Sequence, residues 1–218
     1  MTANYAKSSL APPIWVLAIA VSAANVGISL LSPAIPQLRD DLMVTSDEAQ
    51  LVLSAFLIML GVGQLIAGSL SDRIGRRPVL VYGSLLFLLS GLGALFSTSI
   101  EMLVAMRIFQ GLGAATCMAM GRVIISDSFQ RAEAGRQMST ITMFQSVVPL
   151  LGFAFGGVMA DLVGWRGSVG LMVVSAAMVF LGTSLLLAES RDPSIKPVPA
   201  SRIIVVYGQL LVTPLFIT

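Results

Sequence analysis

The sequence has 218 residues, of which 56% are hydrophobic and only 11% are charged, whereas soluble domains carry about 25% charged residues. It contains no histidine and a single cysteine, so the residues for a His-containing catalytic triad, a zinc site or a disulfide framework are missing. An intramembrane serine protease with a Ser-His dyad is excluded in the same way. We therefore expect neither an enzyme nor a protein that binds a metal or a cofactor.

Six apolar runs are long enough to cross a bilayer as helices, which takes about 20 residues each. Backbone groups inside lipid must be hydrogen-bonded within their own segment, so these runs should be helices and not strands. The sequence thus predicts an all-α membrane protein with a six-transmembrane-helix bundle over residues 14–188. The individual spans are expected at 14–37, 49–70, 78–98, 101–125, 137–160 and 168–188.

The segments outside the bundle are polar or short. No small-residue cleavage site convincingly ends the first apolar run, so this run is expected to be a retained helix, preceded by a cytoplasmic N-terminus at residues 1–13. Residues 189–202 contain three prolines and are expected to form a cytoplasmic linker. Residues 203–218 are too short to span the membrane comfortably, so they are expected to be an amphipathic segment or the start of a seventh helix.

The distribution of basic residues predicts the orientation. With a cytoplasmic N-terminus, only Arg39 and Arg166 fall in outer loops, Arg107 lies within the fourth span, and all other basic residues are inside. This asymmetry satisfies the positive-inside rule. No Asp or Glu falls within the middle of any span. The residues assigned to the inner side are Lys7, Arg73, Arg76, Arg77, Arg122, Arg131, Arg136, Arg191, Lys196 and Arg202.

A short pattern occurs twice in the chain. The segment GSLSDRIGRR, which begins at Gly68 after the second span, aligns with GVMADLVGWR, which begins at Gly157, 89 residues later. Gly, Asp, Gly and Arg coincide, although four matches in ten can also arise by chance at helix junctions. The first copy lies on the inner side and the second on the outer side. The pattern therefore favours two inverted three-helix repeats, a common design of transporters.

Several polar and small residues inside the spans are candidates for function or packing. Arg107 lies well inside the fourth span, where a charge is unfavourable unless it faces the bundle interior or an aqueous cavity, or snorkels to the surface. Gln110, one turn later, would share its face. Small residues allow helix backbones to approach closely. The expected helix-packing residues are Gly113, Gly152, Gly156 and Gly157.

Three motifs resemble the major facilitator superfamily, in its drug/proton antiporter branch and near bicyclomycin-resistance-type multidrug efflux proteins. They are residues 68–77 in the turn after the second span, residues 103–115 in the fourth span (LVAMRIFQGLGAA), and residues 32–36 at the end of the first (SPAIP). The resemblance covers residues 14–218 and corresponds to the N-terminal half of a twelve-helix transporter. It implies export of small apolar or cationic molecules from bacteria across the inner membrane, by alternating access coupled to the proton gradient.

The resemblance also implies roles for particular residues. Asp72, expected just beyond the second span, would latch the turn to a helix end in the other half, and Asp127 would pair with Arg76. The implied gate, or conformational switch, comprises Gly68, Asp72, Arg73, Gly75, Arg76, Arg77 and Asp127. The implied coupling or substrate path comprises Arg107, Gln110, Gly111 and Asn25.

The sequence departs from the family pattern at two places. Phe153 stands where efflux proteins of this group have a proline, and the first span carries Asn25 and serines where many relatives have an acid. Metabolite uptake therefore stays open as an alternative, and the end of the chain at Thr218 leaves open a non-transporting six-helix remnant or dimerising scaffold. The expected partners are the lipid bilayer, a small-molecule substrate, protons, and a C-terminal six-helix half or a second copy, with no nucleic acid.

Overall fold

The computed structural model describes residues 12–190 and consists of helices, with no strand in that range. Six helical segments within it are long and apolar enough to cross a membrane, and the first of these combines α1 and α2. This confirms the predicted all-α, six-span fold. The helices are α1 (Ile14–Ser29), α2 (Ile35–Leu42), α3 (Ser46–Ile74), α4 (Arg76–Leu95), α5 (Ile100–Ser128), α6 (Arg131–Val163) and α7 (Trp165–Leu186), with a 3-10 turn at Ser32–Ala34 between α1 and α2.

The first span is interrupted near its outer end. The 3-10 turn has Pro33 in its first positions, and α2 likewise has Pro36 at its start. Proline has no N–H group to donate along a continuing helix, so it is tolerated in a first turn and not in a helix interior. The SPAIP segment therefore divides the span into a membrane helix and a short second helix.

The other helices all begin before the apolar runs that predicted them; α3, α5 and α6 also end beyond those runs, whereas α4 and α7 end slightly before them. A capping box between Thr45 and Glu48 starts α3 before the apolar residues begin, because side-chain acceptors there satisfy free N–H groups. At its other end, α3 continues to Ile74, so Asp72 lies in its last turn. The expectation that Asp72 lies beyond the helix is therefore wrong: this helix ends at Gly75, and not where the apolar residues end.

The contacts between the helices of the two predicted repeats occur in matching pairs. The helix α5 packs against α3 and α4, whereas α1 packs against α6 and α7, and α1 and α5 contact each other. Exchanging α1 with α5, α3 with α6 and α4 with α7 therefore reproduces these contacts. This arrangement agrees with the inverted three-helix repeats that the sequence pattern favours.

Glycines on α5 bring its backbone against two neighbouring helices. A Cβ atom on Gly111 would collide with the backbone of α3 at Phe56, and one on Gly113 would collide with the backbone of α4 at Phe87. Such close approach increases dispersion contacts between helices, which drive association in lipid. In contrast, α3 and α6 bury the smallest share of their apolar segments and expose many large apolar side chains within the described chain.

Candidate functional site

The charged turn between α3 and α4 is organised around Arg76. Its guanidinium forms ion pairs with Asp72, at 2.5 Å from Nη1 to Oδ1, and with Asp127 at the end of α5, at 3.2 Å from Nε to Oδ2. It also donates to the Ser71 hydroxyl at 3.0 Å. The Arg76 side chain is 14% exposed, whereas those of Asp72 and Asp127 are 41% and 35% exposed. The Arg76–Asp127 pair that the resemblance implied is thus present, and it joins the ends of α3, α4 and α5.

Gly75 makes the sharp turn between these helices. Its φ is +108° and its ψ is 159°, a backbone conformation open essentially only to glycine. A Cβ atom there would also lie 2.6 Å from a carboxylate oxygen of Glu189. Gly75 is therefore needed both for the conformation of the turn and for the close approach of Glu189.

Glu189 joins the end of the bundle to the start of α4. Its carboxylate accepts the backbone N–H of Arg76 at 3.0 Å and that of Arg77 at 3.3 Å. These N–H groups belong to the first turn of α4, where helical partners are lacking and negative charge is favoured. From the sequence, Glu189 is expected only as part of a linker, because the residues around it do not indicate a hydrogen-bond partner more than 100 residues away. Residues 191–202 and 203–218, the rest of the predicted linker and tail, lie outside the described residues.

Two arginines at equivalent positions of the repeated pattern make equivalent contacts. Arg77, at the start of α4, donates to the carbonyl oxygens of Leu187 at 2.6 Å and Ser184 at 2.8 Å, at the end of α7. Arg166, at the start of α7, donates to the carbonyl oxygen of Ser97 at 3.0 Å, just after α4 ends. Each arginine thus satisfies carbonyl groups at the end of the other helix. This reciprocity is structural support for the inverted repeat.

The outer turn before α7 repeats the backbone geometry of the inner one. Gly164 has φ +82° and ψ 177°, close to the values at Gly75. Arg166 forms an ion pair with Asp41 at 2.9 Å, and the indole N–H of Trp165 donates to the same carboxylate oxygen at 2.8 Å. These bonds hold the end of α2 against the start of α7, so the outer end of the bundle is also tied together.

The remaining gate candidates lie at the edge of this cluster. Arg73 is exposed on the last turn of α3. Gly68 is one turn before Asp72, and a Cβ atom there would meet no atom of the described chain within 4 Å. The structure therefore brings Asp72, Gly75, Arg76, Arg77 and Asp127 together, and it leaves Gly68 on an open surface.

Arg107 is fully buried at the centre of the bundle. Its guanidinium donates to the carbonyl oxygens of Gly27 on α1 at 2.7 Å and Val52 on α3 at 3.2 Å, and to Gln110 Oε1 at 2.6 Å. It also stacks on the Phe56 ring at 4.2 Å. Arg107 therefore faces the bundle interior and does not snorkel to the surface.

Gln110 extends the Arg107 contacts to α7. Its Nε2 atom donates to the sulfur of Met172 at 3.0 Å, and Arg107 Nη1 approaches the same sulfur at 3.5 Å. Gly111, the next residue, contacts the α3 backbone. No carboxylate of residues 12–190 forms an ion pair with Arg107. The charge is thus stabilised by carbonyl and amide dipoles from several helices, so any shift of these helices changes its environment.

Asn25 belongs to a second polar cluster, on α1, α5 and α6. Its Nδ2 atom donates to the backbone carbonyl of Gln145 at 3.0 Å. The Gln145 side chain accepts from Arg122 Nη2 at 3.1 Å and donates to the carbonyl of Val21 at 3.3 Å. From the sequence, Arg122 is expected only as an inner-side charge, and Gln145 is not among the candidate residues. Little in the sequence indicates the contact between these two residues, because a single polar residue in an apolar run does not reveal which helix it faces.

The predicted packing glycines on α6 differ among themselves. A Cβ atom at Gly152 would collide with the Ser29 side chain, and one at Gly156 would collide with the backbone carbonyl of Leu30. At Gly157 the nearest atom would be Pro33 Cβ at 3.8 Å, an ordinary van der Waals distance. Gly152 and Gly156 therefore make the close α1–α6 contact, and the prediction that Gly157 is also required for packing is wrong.

The described part of the chain has six helices that can cross a membrane, arranged in two inverted units. Matched polar turns lie at both ends, and a buried arginine lies between the units. Together these features define one half of a secondary transporter fold. The sequence model of the Major Facilitator Superfamily matches residues 17–218. The chain belongs to this family, which confirms the predicted resemblance.

Named relatives and solved structures agree with this assignment. The chain is 32% identical to a chloramphenicol resistance protein of Pseudomonas aeruginosa, over 84% of this chain and 42% of that protein. It is 30% identical to multidrug resistance protein D of Escherichia coli strain K12, over 90% of this chain and 49% of that protein. The chain thus spans about half the length of these curated relatives.

Solved structures show the same fold. A peptide transporter superposes with a TM-score of 0.74 at 15% identity, over 94% of this chain and 44% of that one. A D-xylose–proton symporter superposes with a TM-score of 0.73 at 16% identity, over 91% of this chain and 52% of that one. At such low identity, these neighbours establish the fold alone.

Proposed function

We propose that this chain forms the N-terminal half of a secondary active transporter that exports small molecules across the bacterial inner membrane. Transport would proceed by alternating access and take its energy from the proton gradient. Family membership and relatives named for drug resistance support this proposal. The observation that carries it is the Arg76 cluster, in which one guanidinium joins the ends of three helices through two partly exposed carboxylates.

The Arg76 cluster suits a reversible gate. Ion pairs that are partly exposed contribute little stability, typically about 0–1 kcal/mol. Asp72 and Asp127 can therefore exchange partners at small energetic cost when another helix end approaches. Gly68, one turn earlier on α3, offers an open surface for that approach. We assign the gate to Asp72 and its partners on the proposed cytoplasmic side, with Arg73 and Arg77 supporting it.

We assign Arg107 to the coupling between the conformation of this half and the binding of a substrate or a proton. Its acceptors lie on α1, α3 and α5, and its contact with Met172 extends to α7. Rocking of the bundle would alter these distances, and removal of any acceptor would leave a buried charge less well solvated. Arg107 and Gln110 would thereby link the conformation of this half to binding of a substrate or a proton, with Gly111 and Asn25 along the same path.

The large apolar side chains exposed on α3 and α6 suit contact with lipid and with a second helical bundle. We propose that a C-terminal six-helix half, or a second copy of this chain, packs there. Residues 189–202 would connect the halves on the cytoplasmic side, with 203–218 an amphipathic segment or the start of a seventh helix. The N-terminus, residues 1–13, would also be cytoplasmic. Periplasmic reporter fusions after residues 45 and 99, but not after residue 75, should be active if this orientation is right.

The test is transport by the complete gene product that contains this chain, reconstituted in proteoliposomes with an imposed pH gradient. Two probes, neutral chloramphenicol and cationic ethidium, cover the apolar and cationic classes. Export of either probe that collapses with the gradient supports the proposal, and flux only in the uptake direction supports the alternative of metabolite uptake. No flux of any tested solute in protein that assembles normally supports a scaffold.

Asp72→Asn tests the gate within the same assay. We expect normal membrane abundance with loss of most transport, because the amide keeps the shape of the side chain but not its charge. Asp47→Asn, on the opposite end of the same helix, is the matched control and should transport normally. Unchanged transport by Asp72→Asn would remove the gate from the proposal.

A further inference from the structure

Arg122 is a cation within the membrane helix α5. It lies on α5, six residues before the helix ends at Ser128, which places its Cα about 9 Å from that end. The residue is exposed. Within residues 12–190, no carboxylate forms an ion pair with it, and the nearby Asp127 is paired with Arg76. The single hydrogen bond from its side chain to the described chain goes to Gln145 Oε1.

Gln145 holds this guanidinium in a defined place. Its amide nitrogen donates to the Val21 carbonyl on α1, while its amide oxygen accepts from Arg122. The Val21 carbonyl can only accept a hydrogen bond, and the Arg122 guanidinium can only donate one. These two neighbours therefore fix the orientation of the Gln145 amide. A guanidinium has five N–H donors, so most of the hydrogen-bonding capacity of Arg122 remains for a further partner.

Polar side chains on α1, α3 and α6 are linked to Arg122 directly or through a residue next to it. Asn25 on α1 is bonded to the Gln145 backbone. Gln64 on α3 is exposed and contacts the sulfur of Met118 at 4.0 Å, and Met118 lies one turn before Arg122 on the same face of α5. We call Asn25, Gln64, Arg122 and Gln145 the polar strip. Its formal charge is positive, and no acid of the described chain lies on it.

We propose that Arg122 binds an oxyanion, specifically a carboxylate group, on the transported molecule. The inference rests on the proposed function, and it narrows the expected substrates of this half toward apolar molecules with an anionic head and away from cationic ones. A planar guanidinium matches the two oxygens of a carboxylate, and such charge-assisted pairs are the stronger hydrogen bonds in proteins. The exposed amide of Gln64 on the neighbouring helix α3 is a neutral donor for the remainder of a polar head.

The test compares three probes that share one apolar body and differ in the charge of the head: 2-naphthoate, 2-naphthamide and 2-naphthylmethylammonium. Binding to the complete gene product in detergent is measured by titration calorimetry at pH 7. We expect 2-naphthoate to bind at least about tenfold more tightly than the ammonium probe, because one strong charged hydrogen bond is worth about that factor. Arg122→Gln should abolish this preference, and Arg122→Lys should retain part of it.

Two further variants separate recognition from general effects of charge and folding. Arg131→Gln makes the same change of net charge at the first, exposed residue of α6 and should leave the preference intact. Gln145→Ala keeps the charge of Arg122 but removes its support, and should weaken 2-naphthoate binding severalfold.

Three results would overturn the proposal: equal binding of 2-naphthoate and the ammonium probe, no measurable binding of 2-naphthoate, or a preference that persists in Arg122→Gln. None of these depends on flux. Failure of the proposed exporter would show instead as missing chloramphenicol and ethidium transport in proteoliposomes, so the two proposals fail separately.

Discussion

Asn25 on α1 satisfies a backbone carbonyl of α6 that the helix itself leaves without a partner. In a regular helix the carbonyl of Gln145 would accept from the N–H of residue 149, but that residue is Pro149, inside α6. Proline has no N–H. The Asn25 side chain donates to this carbonyl at 3.0 Å. Asn25, expected from the resemblance to lie on the substrate path, thus also compensates for a proline on a neighbouring helix.

This relationship predicts a strong coupling between positions 25 and 149. Asn25→Ala should lower the free energy of unfolding by about 1–3 kcal/mol, because it leaves a carbonyl unsatisfied in an apolar environment. In the Pro149→Ala background the helix supplies its own N–H, and the same change should cost less than about 0.5 kcal/mol. The measurement is a double-mutant cycle of denaturation in detergent. Additive effects of the two substitutions would contradict this role of Asn25.

The glycines of the two repeated turns differ in surroundings but share a backbone conformation. Gly164→Ala should destabilise the protein by about 1–3 kcal/mol through backbone strain alone, since a Cβ atom there meets nothing within 4 Å. Gly75→Ala should destabilise it more, because its Cβ atom also displaces the Glu189 carboxylate. Thermal melting of the purified protein measures both.

Gly68→Ala is the matched control for these turns, because Gly68 is helical and its surroundings are open. We expect it to leave the melting temperature unchanged or to raise it slightly, in line with the higher helix propensity of alanine. Equal losses at positions 68, 75 and 164 would show that neither the positive φ nor Glu189 matters.

Arg107 should not be replaceable by lysine. An ammonium group on a flexible stem cannot donate in a planar fork to the carbonyls of Gly27 and Val52 and to Gln110. We expect Arg107→Lys to lower the free energy of unfolding by at least about 2 kcal/mol, through loss of one or more charged hydrogen bonds, and to reduce transport. Arg131→Lys, on the exposed first turn of α6, should behave like the unmodified protein. A fully stable and active Arg107→Lys variant would mean that the charge alone suffices.

Two adjacent glycines on α6 offer a direct test of the α1–α6 contact. Gly156→Ala should lower the free energy of unfolding by about 1–3 kcal/mol, because its methyl group would press on the Leu30 carbonyl. Gly157→Ala has room and should be neutral or stabilising by up to about 1 kcal/mol. Chemical denaturation of the two variants, side by side, measures the difference. Similar values at both positions would show that the helices are not in backbone contact.

Local composition was sufficient to predict the six spans, since the length of an apolar run reflects the thickness of the bilayer. It was also sufficient for the repeated pattern, because this depends on residues close together in the chain. The ends of the helices were less predictable. Asp72 lies in α3 and not after it, because helices continue past the apolar region until a residue such as Gly75 stops them.

The partners of the polar residues were decided only by the tertiary structure. Whether Gly156 or Gly157 touches α1 depends on the rotation of α6 about its axis, which no run of residues records. The same holds for Arg122 against Gln145 and for Glu189 against the start of α4, which are brought together from distant parts of the chain. Hydrophobicity thus determined which segments enter the membrane, while the close packing of helices determined which polar groups meet inside it.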